Sequence, residues 1–162
     1  MKAAGQLARI HRDESGRITE EGSMLKKVIL LYNIESLTYR KALEDFCRDR
    51  DISLRYVKAE EYDVPLGFLA YGKEEDRAEY IRQGRGREFK DPMMVFSGFD
   101  QDALFAIFKD LRAAGIVTTD LKAVMTEHNA VWDSLALRSE LLKEHLYMKE
   151  MAAKSHDKKQ KQ

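Results

Sequence analysis

The spacing of apolar and polar residues along the chain predicts a core of alternating strands and helices. Residues 27–33 (KVILLYN) and 92–98 (PMMVFSG) are continuously apolar, which is typical of strands buried on both faces. Each is followed by a segment whose apolar residues recur at helical spacing. These two helices are predicted to begin after Ser36 and Asp100, which are good N-cap residues, and Gly115 suits the end of the second.

The remaining apolar segments predict two more strands and a final helix. Residues 52–59 (ISLRYVKA) and 121–126 (LKAVMT) carry basic side chains such as Arg55 and Lys122, which favours edge strands. The leucine-rich segment that begins at Asp133 predicts the last helix. The order is therefore strand–helix–strand, a long connection at 58–91, a second strand–helix–strand, and a helix.

Two arrangements of the sheet fit this order. The favoured one is an α/β (α+β) fold, namely a ferredoxin-like β-α-β-β-α-β core with an added C-terminal helix. In it the first and third strands are central, and the second and fourth lie at the edges. The alternative is a small parallel doubly wound sheet, which would need a crossover helix between the second and third strands.

At 162 residues the chain is sized for one domain. We expect residues 1–25 to be a polar, poorly ordered leader and residues 26–148 to be a single α/β domain. The connection at 58–91 is an insertion in that domain, and residues 149–162 form a basic tail.

Composition and charge limit the partners and the compartment. The 28 basic and 28 acidic residues cancel, so no overall field attracts nucleic acid, and nucleic-acid binding is not favoured. The apolar runs are too short to span a membrane, the N-terminus lacks the apolar region of a secretory signal, and Cys47 is the single cysteine. We expect a cytoplasmic protein that does not bind membranes.

The segment TEHNAVW (126–132) is the candidate ligand pocket, because it gathers a hydroxyl, an imidazole, an amide and the single tryptophan. Its candidate residues are Thr126, His128, Asn129 and Trp132. We favour a structural role for this segment over a role as a ligand pocket. If Asp133 caps the last helix, the tryptophan before it packs on Leu137 as a hydrophobic staple, and the asparagine shapes the turn.

The sequence carries no constellation that predicts catalysis, a metal site or a cofactor. The four histidines lack ligand spacing, and the turns after the apolar strands lack the glycine-rich pattern that cradles phosphate. We therefore lean towards a protein that is not an enzyme.

The last helix offers a candidate interaction surface, because its apolar residues cover more than one narrow stripe. The candidates are Leu137, Leu141 and Leu142. The expected ligand is a protein partner or a second copy of the chain, and the expected function is that of a non-catalytic binding or regulatory module. The alternative is a small-molecule-binding domain or small enzyme with its site near residues 126–132.

Residues 90–148 resemble the bacterial family of domain of unknown function 3783. The resemblance rests on an apolar strand that leads into the turn Ser97-Gly98-Phe99, on the strand KAVMT, and on Asn129 and Trp132 ahead of a helix with Glu144-His145. Upstream, VILLYN and VPLGFLAYG resemble the N-terminal partner of that domain. The resemblance implies no activity, cofactor or catalytic residue.

Overall fold

A computed structural model describes residues 25–81 and 88–160, with side chains up to residue 155. Residues 1–24 of the leader predicted at 1–25, and residues 82–87 of the long connection, lie outside the described residues. The first half of the domain contains β1 (Lys27–Tyr32), α1 (Leu37–Arg48), β2 (Ile52–Val57), a 3-10 turn (Ala59–Glu61), α2 (Leu66–Tyr71) and α3 (Glu74–Ala78). The second half contains β3 (Met93–Ser97), α4 (Gln101–Ala113), β4 (Leu121–Val124) and α5 (Ser134–Gln160).

The predicted ends of the two crossover helices are confirmed. The Ser36 hydroxyl accepts a hydrogen bond from the Tyr39 amide at 3.2 Å, and the Asp100 carboxylate accepts one from the Ala103 amide at 2.7 Å. Gly115, just after α4, has a φ of 74°, the left-handed conformation that is typical of the residue that follows the end of a helix. Each helix therefore begins where a side chain close to it in sequence caps its first amides.

The sheet is mixed and has four strands, which confirms the α/β (α+β) class. Its strand order is β2-β1-β3-β4. The central pair, β1 and β3, is antiparallel, and each central strand has its own edge strand parallel beside it. The prediction of central and edge strands is therefore correct, but the order is not the ferredoxin-like one, and the sheet is not wholly parallel.

The difference in order has a physical cause that the apolar pattern does not record. A ferredoxin-like sheet would place β2 beside β3 and β4 beside β1, yet it would bury the same strands in the centre. Here each crossover helix returns the chain to the neighbouring position, one strand spacing away. The connection from β2 then covers the opposite face of the sheet before the chain enters β3, instead of turning back as a hairpin.

The two faces of the sheet carry separate apolar cores. One face, with Ile29, Leu31, Met94 and Phe96, packs under α1 and α4. The other, with Leu30, Tyr32 and Val95 among its residues, packs against α2 and the start of α5. The central strands are buried on both sides because each face has a helical cover.

The connection and the last helix contain more structure than a loop and a tail. Within the connection at 58–91, α2 begins directly after Pro65 and α3 follows it. The last helix continues to Gln160, so it includes most of the basic tail predicted at 149–162. Residues from 149 onwards lack apolar periodicity, so the pattern alone does not predict this extension.

Candidate functional site

The turn at 126–132 is held by its own polar side chains. The Asn129 carboxamide oxygen accepts a hydrogen bond from the Thr126 amide at 2.9 Å, and the Thr126 hydroxyl accepts one from the Asn129 amide at 3.2 Å. The Asn129 Nδ2 also donates to the carbonyl of Val124 at 3.1 Å, at the end of β4. These two predicted pocket residues therefore bond the backbone of their own turn.

The other two predicted pocket residues meet each other at the surface. The rings of His128 and Trp132 lie 5.3 Å apart, edge to face, with the histidine exposed and the tryptophan half-buried against the core. The structure thus brings the four candidates together in pairs within one turn.

The same turn fastens α2 to the domain. The Trp132 carbonyl accepts a hydrogen bond from the Leu66 amide at 2.8 Å, and the Ala130 carbonyl accepts one from the Gly67 amide at 2.9 Å. These amides belong to the first turn of α2, where no helical partner exists for them. The backbone of the turn therefore caps a second element of the fold.

The start of α5 agrees with the capping interpretation. Asp133 accepts a hydrogen bond from the Ala136 amide at 2.8 Å, and Trp132 and Leu137 both pack in the core on this side of the sheet. Ser134 is fully buried, and its hydroxyl lies 2.7 Å from that of Tyr32 in β1. Sequence reasoning missed this pair, because neither residue stands in a local motif.

The predicted interaction surface divides into buried and half-buried residues. Leu137 is only 2% exposed and belongs to the core, and Leu141 and Leu142 are half-buried. Exposed apolar side chains come later in the helix, and we call them the α5 patch: Leu146, Tyr147, Met148 and Met151. The described side chains from 143 to 155 are exposed apart from His145, which is half-buried.

An aromatic cluster joins the end of the long connection to β1. The rings of Tyr62 and Phe89 stack at 4.4 Å, and Tyr32 lies 5.8 Å from each. Asn33, with a φ of 57°, donates from Nδ2 to the carbonyls of Phe89 and Asp91 at 3.0 and 3.1 Å. Burial raises the pKa of Tyr62 and, more strongly, that of Tyr32, so both phenols keep their protons at pH values where an exposed tyrosine loses its own.

A buried carboxylate holds the 3-10 turn against the sheet edge. Glu61 lies 2.6 Å from the Arg55 guanidinium and 3.8 Å from that of Arg77, and its other oxygen accepts from the Lys58 amide. Two cations and a backbone amide compensate the cost of burying this charge. The cluster thereby ties β2 to α3.

The thiol is buried, and the metal-binding residue types that the structure describes are dispersed. Cys47 is buried, and burial raises the pKa of its thiol to about 11, so it carries no thiolate at neutral pH. Among the side chains that the structure describes, no three His, Cys, Asp or Glu residues are placed to hold a metal ion. Over the same part of the chain, no helix has the length and apolar character needed to cross a membrane.

Comparison with known proteins identifies one family. Residues 92–148 match the family described as Domain of unknown function (DUF3783), which confirms the resemblance predicted for this segment of the sequence. The matched segment covers β3, α4, β4 and the first part of α5. No curated protein and no solved structure matches the sequence.

Proposed function

We propose that this protein is a non-catalytic binding or regulatory module that acts through protein–protein contact. The observation that carries the proposal is the α5 patch. Tyr147 is 60% exposed and Met148 is 66% exposed, on a helix whose earlier residues form part of the core. Exposed apolar side chains concentrated in one short segment are typical of interaction sites.

Two residues of the patch, Met148 and Met151, extend the face of α5 that packs on the sheet. Met148 follows Leu141 by seven residues, two helical turns, and therefore lies on the same side of the helix. Met151 lies one turn further on, beside Met148. The first part of this face packs on the core, and the second part is exposed, so a partner helix can continue the packing.

A second copy of the chain is the partner that the charges favour. Around the patch, Lys143 and Lys149 are balanced by Glu144 and Glu150, and the whole chain has no net charge. The segment 143–150 thus carries no net charge, so two copies can meet there without net repulsion, while the excess of lysines in the basic tail lies further along, from Lys154 onwards. The flexible methionine side chains can adapt their shape to the apolar surface of a partner.

Sedimentation velocity of the full chain tests the proposal. We expect a concentration-dependent dimer that is lost in the double variant Tyr147→Ser, Met148→Lys. Phe105→Ser is the matched control, because Phe105 is 67% exposed on α4, far from the patch in sequence, and its replacement should leave the dimer unchanged. A wild-type chain that stays monomeric, or a dimer that survives the double variant, would contradict this assignment of the partner.

The alternative function is a small-molecule-binding domain or small enzyme with its site near residues 126–132. The observation in its favour is the exposed His128 ring against Trp132. Quenching of Trp132 fluorescence by a metabolite library, with His128→Ala as the comparison, tests it directly because the chain has a single tryptophan. The absence of any quenching that depends on His128 would remove this alternative.

A further inference from the structure

A cleft lies between α4 and the first residues of β1 and β2, beside the turn that joins α1 to β2, on the face of the sheet opposite α5. It is separate from the α5 patch. Its volume is about 280 Å³, close to the lower end of the range for small-molecule sites, roughly 300–1,000 Å³. Its apolar lining includes Ile52, Phe99 and Ile107. The wall from α4 is formed by Ala103 and Ala106, whose small side chains leave the space open.

The cleft carries more positive than negative charge. Lys27 and Arg50 line it with two cations, against the single carboxylate of Asp110, which leaves one positive charge in excess. The Nε of Arg50 is 3.8 Å from the Asp110 Oδ2, too long for a hydrogen bond, and both side chains are more than a third exposed. A solvent-exposed pair of this kind contributes little free energy, so a ligand carboxylate can compete with Asp110 for Arg50.

Arg50 is held in position while part of its guanidinium stays free for a ligand. Its carbon Cζ lies 3.7 Å from the centroid of the Phe46 ring, and Nη1 donates to the Phe46 carbonyl at 3.0 Å. Opposite, the Lys27 Nζ lies 5.7 Å from the centroid of the Phe99 ring. Aromatic contacts thus place both cations on apolar surfaces at the cleft.

We propose that this cleft binds a small organic carboxylate with an apolar body. The single excess charge matches a monoanion, and a guanidinium pairs with a carboxylate through parallel hydrogen bonds. The apolar lining takes the rest of the molecule, which gains free energy as its surface leaves water. A neutral alcohol cannot form the ionic pair with the guanidinium, and acetate has too little apolar surface to bury in the cleft.

Titration of the ¹⁵N-labelled full chain, followed by NMR, tests the proposal with three probes: octanoate, octanol and acetate. We expect octanoate to bind most tightly and to shift amide signals around Ile52, Phe99 and Ala103. Lys27→Gln and Arg50→Gln should each weaken octanoate by about threefold to tenfold. Lys109→Gln, at an exposed position of α4 outside the cleft, should leave the affinity for octanoate unchanged.

A second variant tests the space rather than the charge. Ala106→Leu adds a good helix former at an exposed position, so the chain should fold while the cleft is filled and octanoate binding is lost. Equal binding of octanol and octanoate, signal changes that map elsewhere, or the same loss in Lys109→Gln would each overturn the proposal. The α5 patch is not involved, so these results do not depend on dimer formation.

Discussion

The hydroxyl groups of Tyr32 and Ser134 lie 2.7 Å apart inside the core, although the two residues are 102 positions apart in the chain. Tyr32 belongs to a central strand, and Ser134 is the first residue of α5. Their hydrogen bond therefore fixes where the last helix meets the sheet. Since both residues are fully buried, neither has water as a substitute partner.

Removal of either hydroxyl should lower the free energy of unfolding. We expect Tyr32→Phe and Ser134→Ala each to cost about 1–2 kcal/mol, because each leaves a buried polar group unpaired. The double variant should lose less than the sum of the single losses, because the second substitution removes the orphaned partner. Urea denaturation of the four proteins measures these values. Strict additivity would mean that the hydrogen bond contributes no coupling.

Alkaline pH should destabilise the fold through its tyrosines. Burial raises the pKa of Tyr32, Tyr39, Tyr62 and Tyr71 above the ordinary value of 10.0, and burial together with Glu44 raises that of Tyr56 to about 12. The folded state therefore retains phenol protons that the unfolded chain releases above pH 10. Stability from this source is complete below pH 10 and is lost as the pH rises towards the folded-state values.

Thermal unfolding as a function of pH measures this effect. We expect Tm to fall above pH 10, and to fall less steeply in Tyr32→Phe, which removes the most deeply buried of these phenols. The variant should be less stable than the wild type at pH 8, yet the two curves should converge at high pH. Parallel curves over the whole range would contradict the role given to Tyr32.

Two glycines with positive φ should respond differently to alanine. A Cβ at Gly98 would fall on the carbonyl oxygen of Lys26, at a φ of 85°, whereas one at Gly115 would meet nothing within 4 Å, at a φ of 74°. We expect Gly115→Ala to cost about 1 kcal/mol through backbone strain alone. Gly98→Ala should cost at least about 2 kcal/mol, because the backbone must also move. Equal losses in denaturant titrations would show that the close approach is relieved without cost.

The turn at 126–132 should depend on its asparagine and tolerate loss of its histidine. Asn129→Ala removes the bonds to the Thr126 amide and the Val124 carbonyl, and we expect a loss of about 1–2 kcal/mol. His128→Ala removes an exposed ring and should change the free energy of unfolding by less than about 0.5 kcal/mol. The reverse order, measured by denaturation, would indicate that His128 has a structural partner beyond Trp132.

Local features of the fold were predictable from the sequence, and long-range ones were not. Ser36, Asp100 and Asp133 act on amides three residues away, so their roles follow from adjacent residues. The strand order depends on whether a helix joins two adjacent strands or two strands with a third between them. The apolar pattern along the chain is the same in both cases. Similarly, no local pattern links Tyr32 to Ser134, or Arg50 to Asp110 across the cleft.

The sheet order has a consequence for the boundary of the family match. The matched segment begins at the entrance to β3, whose five residues are all buried and whose hydrogen-bonding partner on one side is β1. If the segment were separated at that boundary, β3 would become an unpaired apolar edge strand containing Met93, Met94, Val95 and Phe96, which favours aggregation. In the whole chain this edge is paired with β1, which runs antiparallel to it and belongs to the upstream strand–helix–strand unit.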